Sequence, residues 1–277
     1  MAISDKLTKL STDITNAYNS VQEKGGTIPA NKNTENLSSS ISSIKSYEDE
    51  YLKLISDRRN NYNPTNLPNE ITQIDDYAFA ACTKLALTSL PDRIGHIGDH
   101  AFYDCTNLEL TSLPDKLGYI GSYAFGNCTK LALTSLPDNI RNIGDHAFYD
   151  CTNLELTSLP QNLLYINNSV FYGCASLTIT ELPISCTKIY SYGLYRCTGI
   201  TELTLPETFT RLYNSALSDC TNLTTLKVLA STPPTVDSTT AFRNCPKLTR
   251  IEVPSASLEA YKTAKIWSNY ANIMVGV

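Results

Sequence analysis

The chain has 277 residues, 42% hydrophobic and 18% charged, with a formal net charge of -5, the balance of a folded soluble protein. An acidic chain with a pI near 5.3 lacks the basic face that a polyphosphate requires, so no nucleic-acid partner is expected. No apolar run approaches the ~20 residues of a membrane-spanning helix, and the N-terminus has neither the apolar stretch nor the small-residue cleavage site of a secretory leader.

Residues 1–62 are the first region. Ile3, Leu7, Leu10, Ile14, Ala17 and Val21 step by four and three in alternation, which is a heptad seam. "KGGTIPANKNT" interrupts it with Gly25, Gly26 and Pro29, and Leu37, Ile41, Ile44, Tyr47, Tyr51 and Leu54 resume the spacing. The pattern predicts two helices with one seam each. They can close as an antiparallel hairpin or bundle with copies from other chains, and short heptad runs do not choose between these.

The stretch "DITNAYNSVQEKGGTIPANKNTENLSSSISSI" resembles the short N-terminal segment of many tail and fibre proteins of phages that infect gut and Gram-positive bacteria. The resemblance covers about Leu10 to Ile44, with Lys24, Gly25, Gly26, Lys32, Asn33, Leu37 and Ile41 at the matching places. It implies a virion-attachment piece that contacts other virion proteins and forms a homo-oligomer, commonly a trimer. Ile3, Leu7, Leu10, Ile14, Val21, Leu37, Ile41 and Ile44 would then line the oligomer seam. The missing leader agrees with assembly in a host cytoplasm.

Residues 63–254 repeat. Cys82, Cys105, Cys128, Cys151, Cys174, Cys197 and Cys220 are 23 residues apart, and Cys245 follows after 25. Fixed columns accompany them: Leu-Pro fifteen residues before each of the first seven, Ile or Leu eight before each of those seven, and, for all eight, Phe or Leu three before and Leu or Ile three after. A constant period of this length predicts a solenoid whose stacked rungs share one core. The run before each Pro ("LALTSLP", later "ITELTLP") predicts a short strand of a parallel sheet, ended by the Pro. A second extended piece ("YIGSYAF") would return on the other side.

Because Cys recurs in every rung between two apolar columns, without paired short spacings, it reads as a ladder of buried free thiols rather than a zinc or redox site. Cys186 replaces an aliphatic residue in another core column. No metal or cofactor is expected, and no paired acids, phosphate loop or nucleophile set points to an enzyme. Asp99 and Asp145 read as turn residues that bond their own backbone.

The consensus "LPDxIxxIGDxAFxxCTxLxxLxLP" resembles the BspA-type (Treponema pallidum-type) leucine-rich repeat over roughly Asn66 to Pro254. This implies an α+β repeat fold: a leucine-rich-repeat solenoid of about eight 23-residue rungs with short parallel strands. The helical region, coiled coil or hairpin, precedes it, and residues 255–277 close it with a capping helix near Ser257 to Ser268. Leu258, Tyr261 and Trp267 would cover the last rung. The family implies surface adhesins and binding proteins without catalytic residues. One departure stands out: the second leucine lies five residues after Cys in the first five repeats (Leu87, Leu110, Leu133, Leu156, Ile179) but six after it in the last three (Leu203, Leu226, Ile251).

Between the core columns stand Tyr77, His100, Tyr103, Tyr123, Tyr149, Tyr172, Tyr192 and Tyr195. Tyr gives amphipathic contact area at low entropic cost, so these residues are the candidate ligand-binding stripe, for a host-surface protein or glycan. The alternative is that the rings only cover the sides of rungs. The leading expectation is a phage virion protein, tail or fibre-like, that binds a host-surface or mucosal ligand. The rival expectation is a bacterial surface adhesin.

Overall fold

The computed structural model describes Pro64 and residues 66–277, so the N-terminal heptad positions lie outside the described residues. What it describes is a stack of short rungs with few helices. Each rung carries one two-residue strand, eight and nine residues before its Cys: β1 (Gln73–Ile74), β2 (His96–Ile97), β3 (Tyr119–Ile120), β4 (Asn142–Ile143), β5 (Tyr165–Ile166) and β6 (Lys188–Ile189). β8 (Arg211–Leu212) and β10 (Thr235–Val236) continue the series. Pairing is parallel and in repeat register, Ile74 on Ile97 on Ile120 on Ile143. The second residue of each pair is buried and the first wet, as strand alternation requires.

After each such strand the chain turns tightly rather than running on as extended chain. Successive N–H groups alternate between the next rung and the rung's own turns: His100 N to Ser122 O at 2.8 Å, then Ala101 N to Gly98 O at 3.4 Å, then Phe102 N to Ala124 O at 2.7 Å. This pattern satisfies the backbone while bending it. It places two columns in the left-handed region, five residues and one residue before Cys, with φ between 52° and 61° at non-glycine members such as His100, Tyr123, Asp104 and Asn127. The expected return strand is thus confined to two residues per rung. Rungs approach closely here. A Cβ on Gly121 would sit 2.5 Å from both Gly98 C and Asp99 Oδ1, so only glycine fits.

The core is one column per repeat position. Phe79, Phe102, Phe125, Phe148 and Phe171 stack at 5.2 to 5.7 Å, nearly parallel. Beside them run the thiols, eight of the nine buried and Cys245 half-buried, with no disulfide between them. From Cys105 on, the thiols of the 23-residue series also donate to the carbonyl of the Phe or Leu column one rung back, as Cys128 Sγ does to Phe102 O at 3.0 Å and Cys151 Sγ to Phe125 O at 3.0 Å; Cys186 donates to Lys188 O instead. Cys is therefore an apolar filler that also closes a hydrogen bond. Burial pushes the thiols up, to about 12 at Cys105 and Cys186 and about 11 at Cys245, away from thiolate chemistry.

The strand expected before each Pro forms only in the later rungs: β7 (Glu202–Leu205), β9 (Thr225–Val228) and β11 (Arg250–Val253) pair in parallel. "LALTSLP" forms none. The leucine shift explains this correction. In β7 the buried residues Leu203 and Leu205 are two apart, the strand period. In the early rungs the buried residues are three apart, Leu87 and Leu90 or Leu110 and Leu113, so no alternating strand can bury both. The chain kinks instead, and few inter-rung bonds remain, such as Glu155 N to Leu133 O at 3.0 Å.

The two-residue ladder breaks once, between β4 and β5. Where Gly144 N bonds Ile120 O at 2.8 Å, the next rung uses a side chain: Asn167 Nδ2 donates to Ile143 O at 2.8 Å.

The C-terminal cap is more broken than one helix. A 3₁₀ turn, Ser255–Ser257, leads into α1 (Leu258–Thr263), then a second 3₁₀ segment, Trp267–Ile273, and finally β12 (Met274–Gly276). The helix ends where Ala264 turns extended (φ −68°, ψ 144°), and Ile266, at φ 70°, leads into the second 3₁₀ segment. Tyr261 and Trp267 are buried as expected, with Tyr261 Oη donating to Ala230 O and Trp267 Nε1 to Pro234 O, both at 2.7 Å. Leu258 is only half-buried. β12 adds a final strand beside β11, an element the sequence reading lacked.

Candidate ligand-binding surface

All eight candidate residues of the stripe lie in the turn segments between the two-residue strands and the thiols, and ring contacts join them. The column five before Cys, hereafter the His/Tyr column, stacks face to face. Tyr77 meets His100 at 4.6 Å, His100 meets Tyr123 at 4.9 Å, and Tyr123 meets His146 at 4.3 Å. The column two before Cys, the Tyr column, stacks Tyr149 on Tyr172 at 4.6 Å and Tyr172 on Tyr195 at 4.7 Å. The columns meet where His146 lies 5.9 Å from Tyr149. Tyr103 has no stacking neighbour in its own column. Its ring reaches over Gly126, where a Cβ would lie 2.9 Å from Tyr103 Cδ2, and it sets edge-on to His100 and Tyr123.

This geometry sharpens what the stripe can do. A ring stacked on both faces shows solvent only its edge, so the interior of the ladder presents hydroxyls and imidazole rims rather than open faces. Burial raises the phenols of Tyr103 and Tyr149, and the neighbouring Asp104 and Asp150 add to it. Tyr195 is raised first by its bond to Asp219. These phenols are therefore donors at neutral pH.

The carboxylates beside the column bond across rungs, correcting the expectation that they bond their own backbone. Asp99 Oδ1 accepts from Ser122 N at 2.7 Å, and Asp145 Oδ1 from Asn168 N at 3.0 Å. Asp104 accepts from Asn127 Nδ2 at 2.6 Å, which also reaches Tyr103 Oη at 3.3 Å. Both His100 and His146 have a buried Nδ1 without a hydrogen-bond partner, and burial lowers the His146 imidazole despite Asp145.

The sequence reading left His146 out of the stripe, although it occupies the same column as His100 and completes the stack. A second aromatic group also stands outside the stripe as read from sequence. His96 stacks on Tyr119 at 4.6 Å, Tyr190 on Tyr213 at 4.6 Å, the Arg211 guanidinium lies over Tyr213 at 4.6 Å, and the Lys188 ammonium lies 5.5 Å from the Tyr165 ring. Its members stand in two columns, nine residues before Cys (His96, Tyr119, Tyr165) and seven before it (Tyr190, Tyr213). Among the described residues no three side chains of metal-ligating type come together, and no helix is long and apolar enough to cross a membrane.

Comparison with known proteins accords with this geometry. A leucine-rich repeat protein from Bacteroides ovatus ATCC 8483 superposes with a TM-score of 0.57 at 26% identity, over 68% of this chain and 54% of that one. The chain thus spans about half of that relative. The T. pallidum leucine rich repeat protein is 31% identical over 57% of this chain and 75% of that one, with a TM-score of 0.45. A leucine rich cell surface protein from Faecalibacterium prausnitzii A2-165 is 25% identical over 58% and 52%, with a TM-score of 0.43. No curated protein matches the chain. The BspA type leucine rich repeat region matches in six copies, over residues 58–178 and 141–264. With repeat spacing, rung geometry and these matches in agreement, the chain belongs to the BspA-type leucine-rich-repeat family.

Proposed function

We propose that the protein is a non-enzymatic adhesin of the bacterial surface, whose solenoid binds a host-surface protein or glycan through its aromatic flank. The observation that carries this reading is the continuous run of rings from Tyr77 through His146 to Tyr195 on one side of the rungs. Such a run supplies rigid, amphipathic area along the solenoid. The thiols, the other recurrent reactive type, are buried and pushed up, which favours binding over chemistry.

Family membership favours the surface reading over the virion one. The virion expectation rests on residues 10–44, which lie outside the described residues, and no comparison supports it. Antibody labelling of intact, unpermeabilised producer cells tests this. Label on the cell exterior is expected, and label confined to purified phage particles overturns it. On immobilised host glycoproteins, Tyr172→Ala should weaken binding at least tenfold while leaving the fold intact by circular dichroism.

A further inference from the structure

The repeat supplies a control for every surface position, and two neighbouring rungs, those of Cys174 and Cys197, depart from it together. Ten residues before Cys the column is otherwise Thr, Gly or Arg, and Leu164 stands in it. Thirteen before Cys it is otherwise Asp, Glu, Asn or Gln, and Ile184 stands in it. Both aliphatics are exposed, at 48% and 54%, so neither fills core. Ser185, next to Ile184, donates through Oγ to Gln161 O at 2.7 Å and Leu163 O at 2.8 Å. That bond seats the corner carrying Ile184 against the corner carrying Leu164.

The same rungs lose their acids. Asp99 and Asp145, six residues before Cys, give way to Asn168, Ser191 and Asn214. The stretches 139–144, 162–167, 185–190 and 208–213 hold three cations, Arg141, Lys188 and Arg211, and no Asp or Glu, in a chain of net charge -5. Tyr165, Lys188 and Arg211 lie in register as the outward residues of β5, β6 and β8. Arg211 is engaged, its Nε and Nη2 donating to Asp237 at 2.9 and 3.2 Å. Lys188 and Arg141 take part in none of the ion pairs among the described residues.

We propose that this face docks an acidic segment of a partner protein, Leu164 and Ile184 receiving an apolar side chain and Lys188 and Arg141 a carboxylate. It is a second interaction face, independent of the aromatic flank. Clustered exposed apolar side chains mark a contact site, whereas single ones need no explanation. The unpaired cations beside them set the sign of the partner. Leu164 and Ile184 offer a sugar or a nucleotide nothing to hydrogen-bond. Ring faces on which a base could stack are taken, since Tyr165 faces Lys188, and Tyr213 carries both Tyr190 and Arg211. An anionic bilayer is held by clusters of about four to eight Lys/Arg, more than this face carries. Leu164 and Lys188 stand one rung and one residue apart, about 6 Å on the diagonal. Residues i and i+2 of an extended chain point the same way about 6.5–7 Å apart, so an apolar residue and an acid at that interval reach both.

Designed peptides test it. The full chain and its Lys188→Glu, Leu164→Ser and Tyr172→Ala variants are titrated by fluorescence polarisation with a labelled peptide carrying Leu and Glu in turn at every second position between serines. Two counterparts replace Glu by Gln or Leu by Ser. The Leu/Glu peptide should bind, and each counterpart should bind at least tenfold more weakly. Lys188→Glu and Leu164→Ser should each weaken the Leu/Glu peptide tenfold or more, with melting as in wild type because both side chains lie at the surface. Tyr172→Ala should leave it unchanged, which separates this face from the aromatic flank. No saturable binding of the Leu/Glu peptide, or equal binding of either counterpart, overturns the proposal. Heparin or phosphatidylglycerol vesicles bound by the wild type and lost in Lys188→Glu, with the peptide ignored, overturn a protein as the occupant. A concentration-dependent dimer in sedimentation that Leu164→Ser abolishes gives the face to a second copy of the chain and overturns the acidic partner.

Discussion

Single residues in this chain serve two rungs at once, and their chemistry follows from that. From Cys105 on, each thiol of the 23-residue series fills core volume in its own rung and donates to a carbonyl of the one before, as Cys174 does to Phe148 O at 3.1 Å. Cys128→Ala should cost about 1–3 kcal/mol, from the lost thiol bond and the small void, while Phe102 O keeps its bond from Cys105 N at 3.0 Å; urea denaturation measures it. Because burial pushes these groups up, to about 12 at Cys105, the folded protein at pH 8 should react slowly with a thiol reagent, Cys245 first as the least buried. All nine should titrate in guanidinium without reductant, and recovered disulfides would contradict the thiol ladder. His146 gives a pH effect of defined sign. Its folded value lies below the ordinary 6.5, so the unfolded chain takes the proton first. Stability is full above about pH 7 and falls as pH drops through 6.5, levelling off below the folded value. The difference between wild type and His146→Gln in urea midpoints from pH 7.5 to 5 isolates it.

At the scale of elements, a close contact between rungs decides what is tolerated. Gly121 sits against the backbone of Gly98 and Asp99, so Gly121→Ala should destabilise by more than the ~1 kcal/mol that overpacking commonly costs at least, read as a lowered Tm. The repeat period, the core columns and the burial of cysteine were legible in sequence because each is a one-dimensional pattern that stacking converts directly into contact. The strand before Pro was not. Both "LALTSLP" and "ITELTLP" are apolar runs with β-branched residues before a Pro, and the interval between two buried leucines, Leu87 to Leu90 against Leu203 to Leu205, separates kink from strand. The aromatic columns could be drawn from sequence, but not that ring faces are consumed by stacking or that Asp reaches across to the next rung. Those depend on rung spacing and on left-handed backbone at two columns.

For the whole molecule, stability is a sum of rungs and of contacts between neighbours, so the ends count most. Trp267 is buried against Phe242, Tyr261 and the carbonyl of Pro234. Trp267→Ala should cost about 3–5 kcal/mol, with hydrogen exchange rising first in β11 and β12 and last in the middle rungs.

The alternation of Tyr103, Gly126 and Tyr149 makes the structural unit two rungs long, and the sequence repeats on the same beat: Ile97–Pro114 recurs unchanged as Ile143–Pro160. Two identical stretches of that length invite unequal crossing-over. Excising the 46 residues from 98 to 143 joins Ile97 to Gly144 and keeps every column in phase, so a chain shorter by one such unit should fold cooperatively. The reach of the binding flank is then a quantity that a lineage can lengthen or trim by recombination, in steps of two rungs, without inventing a new residue.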